Sequence, residues 1–339
     1  MLEHLFATRK RFVLYICLTA ALAATVLVCL CCGRLPLSPA EVASAFAARL
    51  SGEVVDRNAD LVIFSLRIPR IAMALFVGAG LACAGAAYQS LFSNPLATPD
   101  TLGVASGAAV GAVIGLLFDL PMPAVQALAF AAGVVATLMT VLFSRVQGET
   151  TITRLILAGV IVTSLMNATI SIVKLVADPA DQLPEITYWL MGGLTGITTQ
   201  NVVYGMAGIG VGVVGIFLLR WRLNVLSLGD EEARSSGVHV AALRVAFIGL
   251  ATLVSATVVA LCGQVGWVGL VIPHCARLIC GSNNRHVIPL SIFLGAGFML
   301  VVDTFARSLL AMEIPLSILT AFIGAPVFVV LLRKSGVVR

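Results

Sequence analysis

GQVGWVGLVIPHCARLICGSNNR, residues 263–285, decides the fold. The run is apolar enough for a membrane, yet it carries Pro273, His274, Arg277 and Arg285. Neither a soluble domain nor a simple membrane anchor needs that combination. A short apolar helix broken by Gly or Pro is tolerated at membrane depth only where protein or a water-filled cavity satisfies the freed backbone groups. The stretch therefore predicts a polytopic membrane protein whose helices surround an internal pathway.

Composition agrees along the whole chain. Of 339 residues, 60% are hydrophobic and 11% charged, with a mean hydropathy of +1.06, where a soluble domain has about 25% charged residues. A bilayer core takes about 20 apolar residues per helix. The length thus allows roughly ten spans and no independent soluble domain. The pattern predicts an all-α, single transmembrane domain over 1–339, with spans near 12–32, 69–91, 103–118, 123–144, 154–176, 201–219, 243–262, 265–281, 289–310 and 316–332. The third and eighth are short and interrupted. Their matching places predict an inverted internal repeat, spans two to five against seven to ten. No GxxxxGK[ST] phosphate loop occurs, so active transport would draw on a partner or an ion gradient.

Lys and Arg favour the cytoplasmic side. Placing the N-terminus inside assigns Arg9, Lys10, Arg11, Arg145, Arg154, Arg220, Arg222, Arg234, Arg244, Arg277, Arg285, Arg333, Lys334 and Arg339 to that side, fourteen of the 21 basic residues. The net charge of +5 follows from this topology rule and does not select a substrate. The basic cluster before span one resembles a signal peptide, but the apolar run of about 21 residues exceeds the 7–15 of a cleaved segment. It is expected to remain as a helix.

Among the basic residues outside that set, Arg67 and Arg70 flank Ile68-Pro69 at the expected start of span two, and Arg307 ends span nine. Long side chains snorkelling to headgroups would explain them. A positive rim that steers and orients an acidic external partner would explain them equally. Asp303 lies four residues before Arg307, a spacing that permits an i,i+4 ion pair.

Polar residues within spans usually face a bundle interior or a cavity. Gln89, Asn167, Ser171, Lys174 and Gln264 are therefore candidates for a pathway lining or for structural hydrogen bonds. Gly103, Gly107, Gly111 and Gly115 share one helical face, a spacing for close helix packing. His274 is expected to hydrogen-bond backbone freed by Pro273. Metal ligation is not expected: Cys275 and Cys280 stand roughly 140° apart around a helix, far from a tetrahedral ligand set. Cys29, Cys31 and Cys32 are expected to pack as small apolar groups. No GxSxG or HExxH motif occurs and the four histidines are scattered, so a membrane enzyme is rejected. An ion-driven secondary transporter competes, since broken helices and repeats suit it too. It would not need the acidic run at 229–232, and it lacks a midplane carboxylate relay here.

Seven segments stand in order: RIPR at 67–70, GAGLACAGAAYQSLFSNPLATPDTLGVASGA at 78–108, LILAGV at 155–160, WLMGGL at 189–194, LNVLSLGDEEARSSGV at 223–238, VGLVIPHCAR at 268–277 and IGAPVFVVLL at 323–332. Together they resemble the iron–siderophore, haem and cobalamin permease family, the membrane subunits of type II ABC importers. The resemblance implies a homodimer or paired permease of ten helices per subunit in a bacterial inner membrane, with both termini cytoplasmic. It implies two cytoplasmic ATPase subunits that carry ATP and Mg, a periplasmic binding protein, no cofactor on this chain and no nucleic acid partner.

Residue by residue, the resemblance implies that Arg67, Arg70 and Arg307 dock glutamates of the binding protein. Over 223–238 it implies an ATPase-coupling helix with Asn224, Leu228, Gly229, Asp230, Glu231, Ala233 and Gly237. The acidic residues there suit a helix N-terminus, and Gly237 suits its end. Pro95 and Pro99 break any helix after span two. At that break the resemblance implies a gate with Asn94 and Leu96, backed by Ile152 and Thr153, in which Leu96 is an apolar plug. The family's acidic-His-Arg triplet is replaced here by Asn283-Asn284-Arg285. For the cargo, a ferric siderophore or haem is expected first, cobalamin second, and an oxyanion such as molybdate third.

Overall fold

Without water to satisfy them, backbone polar groups in a bilayer pair within their own segment, which makes each span a helix. The computed structural model of the chain describes residues 2–33, 35–52, 57–145, 151–228 and 230–334. Its helices are α1 (Leu2–Cys31), α2 (Pro39–Ser51), α3 (Arg57–Asp60), α4 (Ile68–Leu91), α5 (Val104–Leu117), α6 (Met122–Phe143), α7 (Ile152–Val176), α8 (Gln182–Leu190), α9 (Thr199–Leu219), α10 (Arg222–Leu226), α11 (Asp230–Ser235), α12 (Val240–Cys262), α13 (Val268–Cys280), α14 (Asn284–Ser308) and α15 (Leu316–Lys334). Among the described residues seven segments are long and apolar enough to cross a membrane, and α5, α13 and most of α15 are shorter apolar helices. The ten expected spans are all present as helices.

The largest difference from expectation lies in span two. Pro69 does not open the helix: a π-helical segment, Leu61–Arg67, joins α3 to α4, so Asn58–Leu91 runs as one span of 34 residues. Proline removes an N–H and crowds the carbonyl four residues back. The wider π turn, in which the Ile68 N–H reaches the Ile63 carbonyl, leaves room for the ring. Arg67 and Arg70 therefore sit inside a helix and not at its start.

Burial separates inner from outer helices. In the segments containing α4, α12 and α14, 78%, 67% and 56% of the most apolar window is covered by protein, against 28% for α7 and α9 and 11% for α1. Small residues make the inner contacts possible, because close backbone approach is what drives helix packing in lipid. A Cβ on Gly78 would stand 2.1 Å from the Gly295 carbonyl oxygen of α14, and one on Gly85 would stand 2.0 Å from that of Gly269 in α13. Gly107, Gly111 and Gly115 press α5 on α6, as their spacing predicts. Gly103 is different: it takes φ +76° in the turn before α5 and faces Val162 and Thr163 of α7.

Antiparallel α4 and α14 define two ends. Arg67, Arg70 and Arg307 meet at one, here the arginine end. Leu91 and Asn284 lie at the other, where the break after α4 and the short α10 are found. We call it the turn end.

Candidate functional site

At the arginine end the two carboxylates of Asp303 and Glu313 hold one guanidinium between them. Arg70 Nε donates to Asp303 Oδ1 at 2.9 Å, and its Nη1 donates to both Glu313 oxygens at 2.9 Å. Thr195 donates to Glu313 Oε2 at 2.6 Å. Asp303 is fully buried. The expected i,i+4 pair with Arg307 is present only at 3.8 Å, so Arg70, 233 residues away, is the principal partner of Asp303.

The other two arginines have a different task. Arg67 donates to the carbonyls of Leu30, Cys31 and Leu35, and Arg307 Nη2 donates to the Cys29 carbonyl at 2.7 Å. Those oxygens include the last ones of α1, which have no partner within the helix. Cations there also face the negative end of the helix dipole. A Cβ on Gly33 would lie 3.0 Å from both guanidinium groups, which places them side by side. Both are buried. Neither snorkels, and among the described residues Arg67 has no carboxylate in ion-pair range.

The break at the turn end forms as Pro95 and Pro99 require. The chain turns through Ser93 at φ +48°. The Asn94 amide donates to the Gln89 carbonyl at 3.0 Å, and Asn94 Oδ1 accepts from the Leu96 amide at 2.9 Å. Thr98 and Thr101 cap a 3-10 turn, Pro99–Leu102. Leu96 is 56% exposed, so any constriction it forms has to be completed by another surface. Ile152 is half-buried at the start of α7, and Thr153 is exposed.

Beside this turn, α10 is anchored by buried Leu223 and Leu226 and leaves Leu228 exposed. Asn224 Nδ2 donates to Asn283 Oδ1 at 2.9 Å, and Asn224 Oδ1 accepts the Asn284 amide at 2.8 Å. Ala233 of α11 is fully buried and Gly237 is left-handed at φ +74°. Gly229 lies outside the described residues, as do the side chains of Asp230 and Glu231.

The pathway candidates divide. Asn167 and Ser171 are exposed one turn apart on α7, linked by a 2.9 Å bond from the Ser171 hydroxyl to the Asn167 carbonyl. Gln89 is buried among α4 and α13, bonded to Arg277 and to the carbonyls of Gly269 and Leu270. Gln264 reaches only the Ala105 carbonyl, at 3.5 Å. Lys174 is half-buried in the last turn of α7.

His274 does not serve the backbone freed by Pro273: its Nε2 has no hydrogen-bond partner and its ring packs edge-on against Phe328 at 5.9 Å. Proline inside α13 leaves that position to packing. Among the described residues no three His, Cys, Asp or Glu side chains gather in a metal-binding group.

Sequence reasoning missed Glu313, Ser90 and Asn284. Ser90 and Asn284 bond to each other across α4 and α14 at 2.7 Å. The neutral Asn283-Asn284 pair was the available signal.

The chain resembles known proteins over most of its length. Residues 21–334 match the model of the FecCD transport family. The chain is 38% identical over 317 residues to the molybdate import permease MolB of Haemophilus influenzae, covering 94% of each chain. It is 37% identical over 294 residues to the cobalamin import permease BtuC of Halobacterium salinarum, covering 86% of this chain and 79% of that one. A solved inward-facing structure of an ABC transporter assigned to the metal-chelate type superposes with a TM-score of 0.86 at 37% identity, over 94% of this chain and 98% of that one.

Proposed function

This chain belongs to the FecCD transport family, and from that premise we propose how its two ends and its cargo are used. As a member it is a membrane permease subunit of a type II ABC importer and not itself an enzyme; a partner ATPase handles ATP, and a binding protein delivers the cargo.

The arginine end is the docking face for the binding protein and the turn end is the face for the ATPase, with α10 and α11 as the coupling segment and Asn94, Leu96, Ile152 and Thr153 as the gate. The observation that carries this reading is the unbalanced charge at the arginine end. Among the described residues three arginines stand there against Asp303 and Glu313, and Arg67 has no carboxylate in ion-pair range. A surplus cation at this end suits acidic groups on a partner. The exposed Leu96 and the exposed Asn167–Ser171 edge of α7 support a second copy of this chain, with the pathway between the two. Both termini then lie on the ATPase side.

The cargo is a metal chelate, a ferric siderophore or haem. The solved transporter of metal-chelate type supports that choice, and the cobalamin and molybdate permeases name its competitors. Elemental analysis of the binding protein purified with the complex from native membranes tests it. Iron supports the proposal. Cobalt replaces it with a corrinoid, and molybdenum without iron overturns the chelate reading.

A further inference from the structure

Arg277 is a charge in an apolar helix. It stands in α13 with no described carboxylate within ion-pair range, and its two terminal nitrogens are bonded to neutral groups of α4. One nitrogen donates to Gln89 Oε1, and the other donates to the Ser90 hydroxyl at 3.2 Å and the Ala86 carbonyl at 3.4 Å. The Ser90 hydroxyl in turn donates to Asn284 Oδ1 at 2.7 Å. The Asn284 amide donates to Asn224 of α10 at 2.8 Å. On the other side, Gln89 Nε2 donates to the Leu270 carbonyl at 3.1 Å, and the Gln89 carbonyl accepts the Asn94 amide at 3.0 Å.

The bonds, joined through the covalent frames of Asn284 and Gln89, thus form a line from Asn224, on the coupling segment, through Asn284, Ser90, Arg277 and Gln89 to Asn94, at the turn after α4. The Ser90 hydroxyl is used in both directions, as acceptor from Arg277 and as donor to Asn284. Gln89, Ser90 and Asn284 are buried and Asn94, Asn224 and Arg277 half-buried, so the bond between Ser90 and Asn284 is shielded from water. Charge-assisted bonds are about twice as strong as neutral ones, yet none here is an ion pair that would lock the line in place.

We propose that Ser90, Arg277 and Gln89 are positioning residues that tie the coupling segment to the gate turn, so that a shift of α10 is delivered to Asn94 through the end of α4. The inference rests on the coupling and gate assignments proposed above. A chain of contacts alone is an association, and coupling has to be measured.

The test uses the complete permease and ATPase complex in lipid nanodiscs, with Leu96→Cys as the reporter. A membrane-impermeant maleimide gives the labelling rate with and without ATP and vanadate, and the complex without Leu96→Cys gives the background of the eight native cysteines. The expected result is a nucleotide-dependent change of about fivefold or more in the parent and in Ser90→Thr, which keeps the hydroxyl, and its loss in Ser90→Ala. ATP hydrolysis stays within about twofold across all three, as no catalytic group is touched. Arg277→Lys, which keeps the charge but not the fork, gives the same loss, and the double variant is no worse than either single one. A Ser90→Ala or Arg277→Lys complex that responds to nucleotide like the parent overturns the relay and leaves the gate standing. A parent that is indifferent to nucleotide overturns both.

Discussion

At the arginine end, Arg70 is gripped by two carboxylates at 2.9 Å, one of them fully buried. At the turn end, Arg277 is gripped by an amide, a hydroxyl and a carbonyl. The contrast is between a closure that cannot let go and one that can. Removing a partner from a buried ion pair strands a charge, while a guanidinium bonded to neutral groups can exchange one for another, each bond being worth about 1.5–3 kcal/mol. A face that receives a partner from outside benefits from fixed geometry. A face that passes motion to a gate benefits from bonds that rearrange.

The largest effect that would break this contrast is at Asp303. Asp303→Ala should cost about 3–5 kcal/mol, because Arg70 and Arg307 lose a buried counter-charge. Thermal unfolding in detergent, followed by size exclusion, measures it, and an unchanged transition would mean that the arginine end is not sealed by this pair.

Packing comes next. Gly85→Ala forces a Cβ onto the Gly269 carbonyl and should cost about 1–3 kcal/mol by overpacking. Gly210→Ala, where nothing lies within 4 Å, should be neutral or stabilising by up to about 1 kcal/mol, since Ala favours a helix. Equal stability of the two variants would show that α4 and α13 do not approach as described. At Ser90 the loss should be smaller, about 1 kcal/mol for Ser90→Ala and recovered in Ser90→Thr. A loss as large as that at Asp303 would erase the difference between the ends.

The smallest effect sharpens the docking assignment. Arg67→Gln keeps donors for the α1 carbonyls and removes the charge, so the fold should hold. Affinity for the binding protein should fall about three- to tenfold at low salt, with the difference shrinking as salt screens it. Titration of the purified complex with the binding protein at two ionic strengths reads it, and identical curves would count against docking at Arg67.

Much of the fold was legible because membrane spans announce themselves by length and hydropathy, and because Pro95 and Pro99 can be placed nowhere but a break. The glycine face of α5 was legible for the same local reason. Pro69 misled, since a π turn absorbs it and carries the helix past Arg67 and Arg70. Gly103 shared the periodicity but belongs to the turn. The site was harder. Asp303 could be paired in sequence only with Arg307, its i+4 neighbour, whereas Arg70 lies on another helix. Gln89 and Arg277 were each visible as polar residues in apolar runs, but nothing local says that they face one another across α4 and α13. The three arginines could be grouped from the sequence, but not their burial or their use as caps for the end of α1.

The most direct measurement places a photo-crosslinking amino acid at exposed Leu35 of the arginine end, or at exposed Leu228 beyond α10, in cells that make the whole system. Mass spectrometry identifies what each captures. The account predicts the binding protein at Leu35 and the ATPase at Leu228. The ATPase at Leu35, or the binding protein at Leu228, would contradict it.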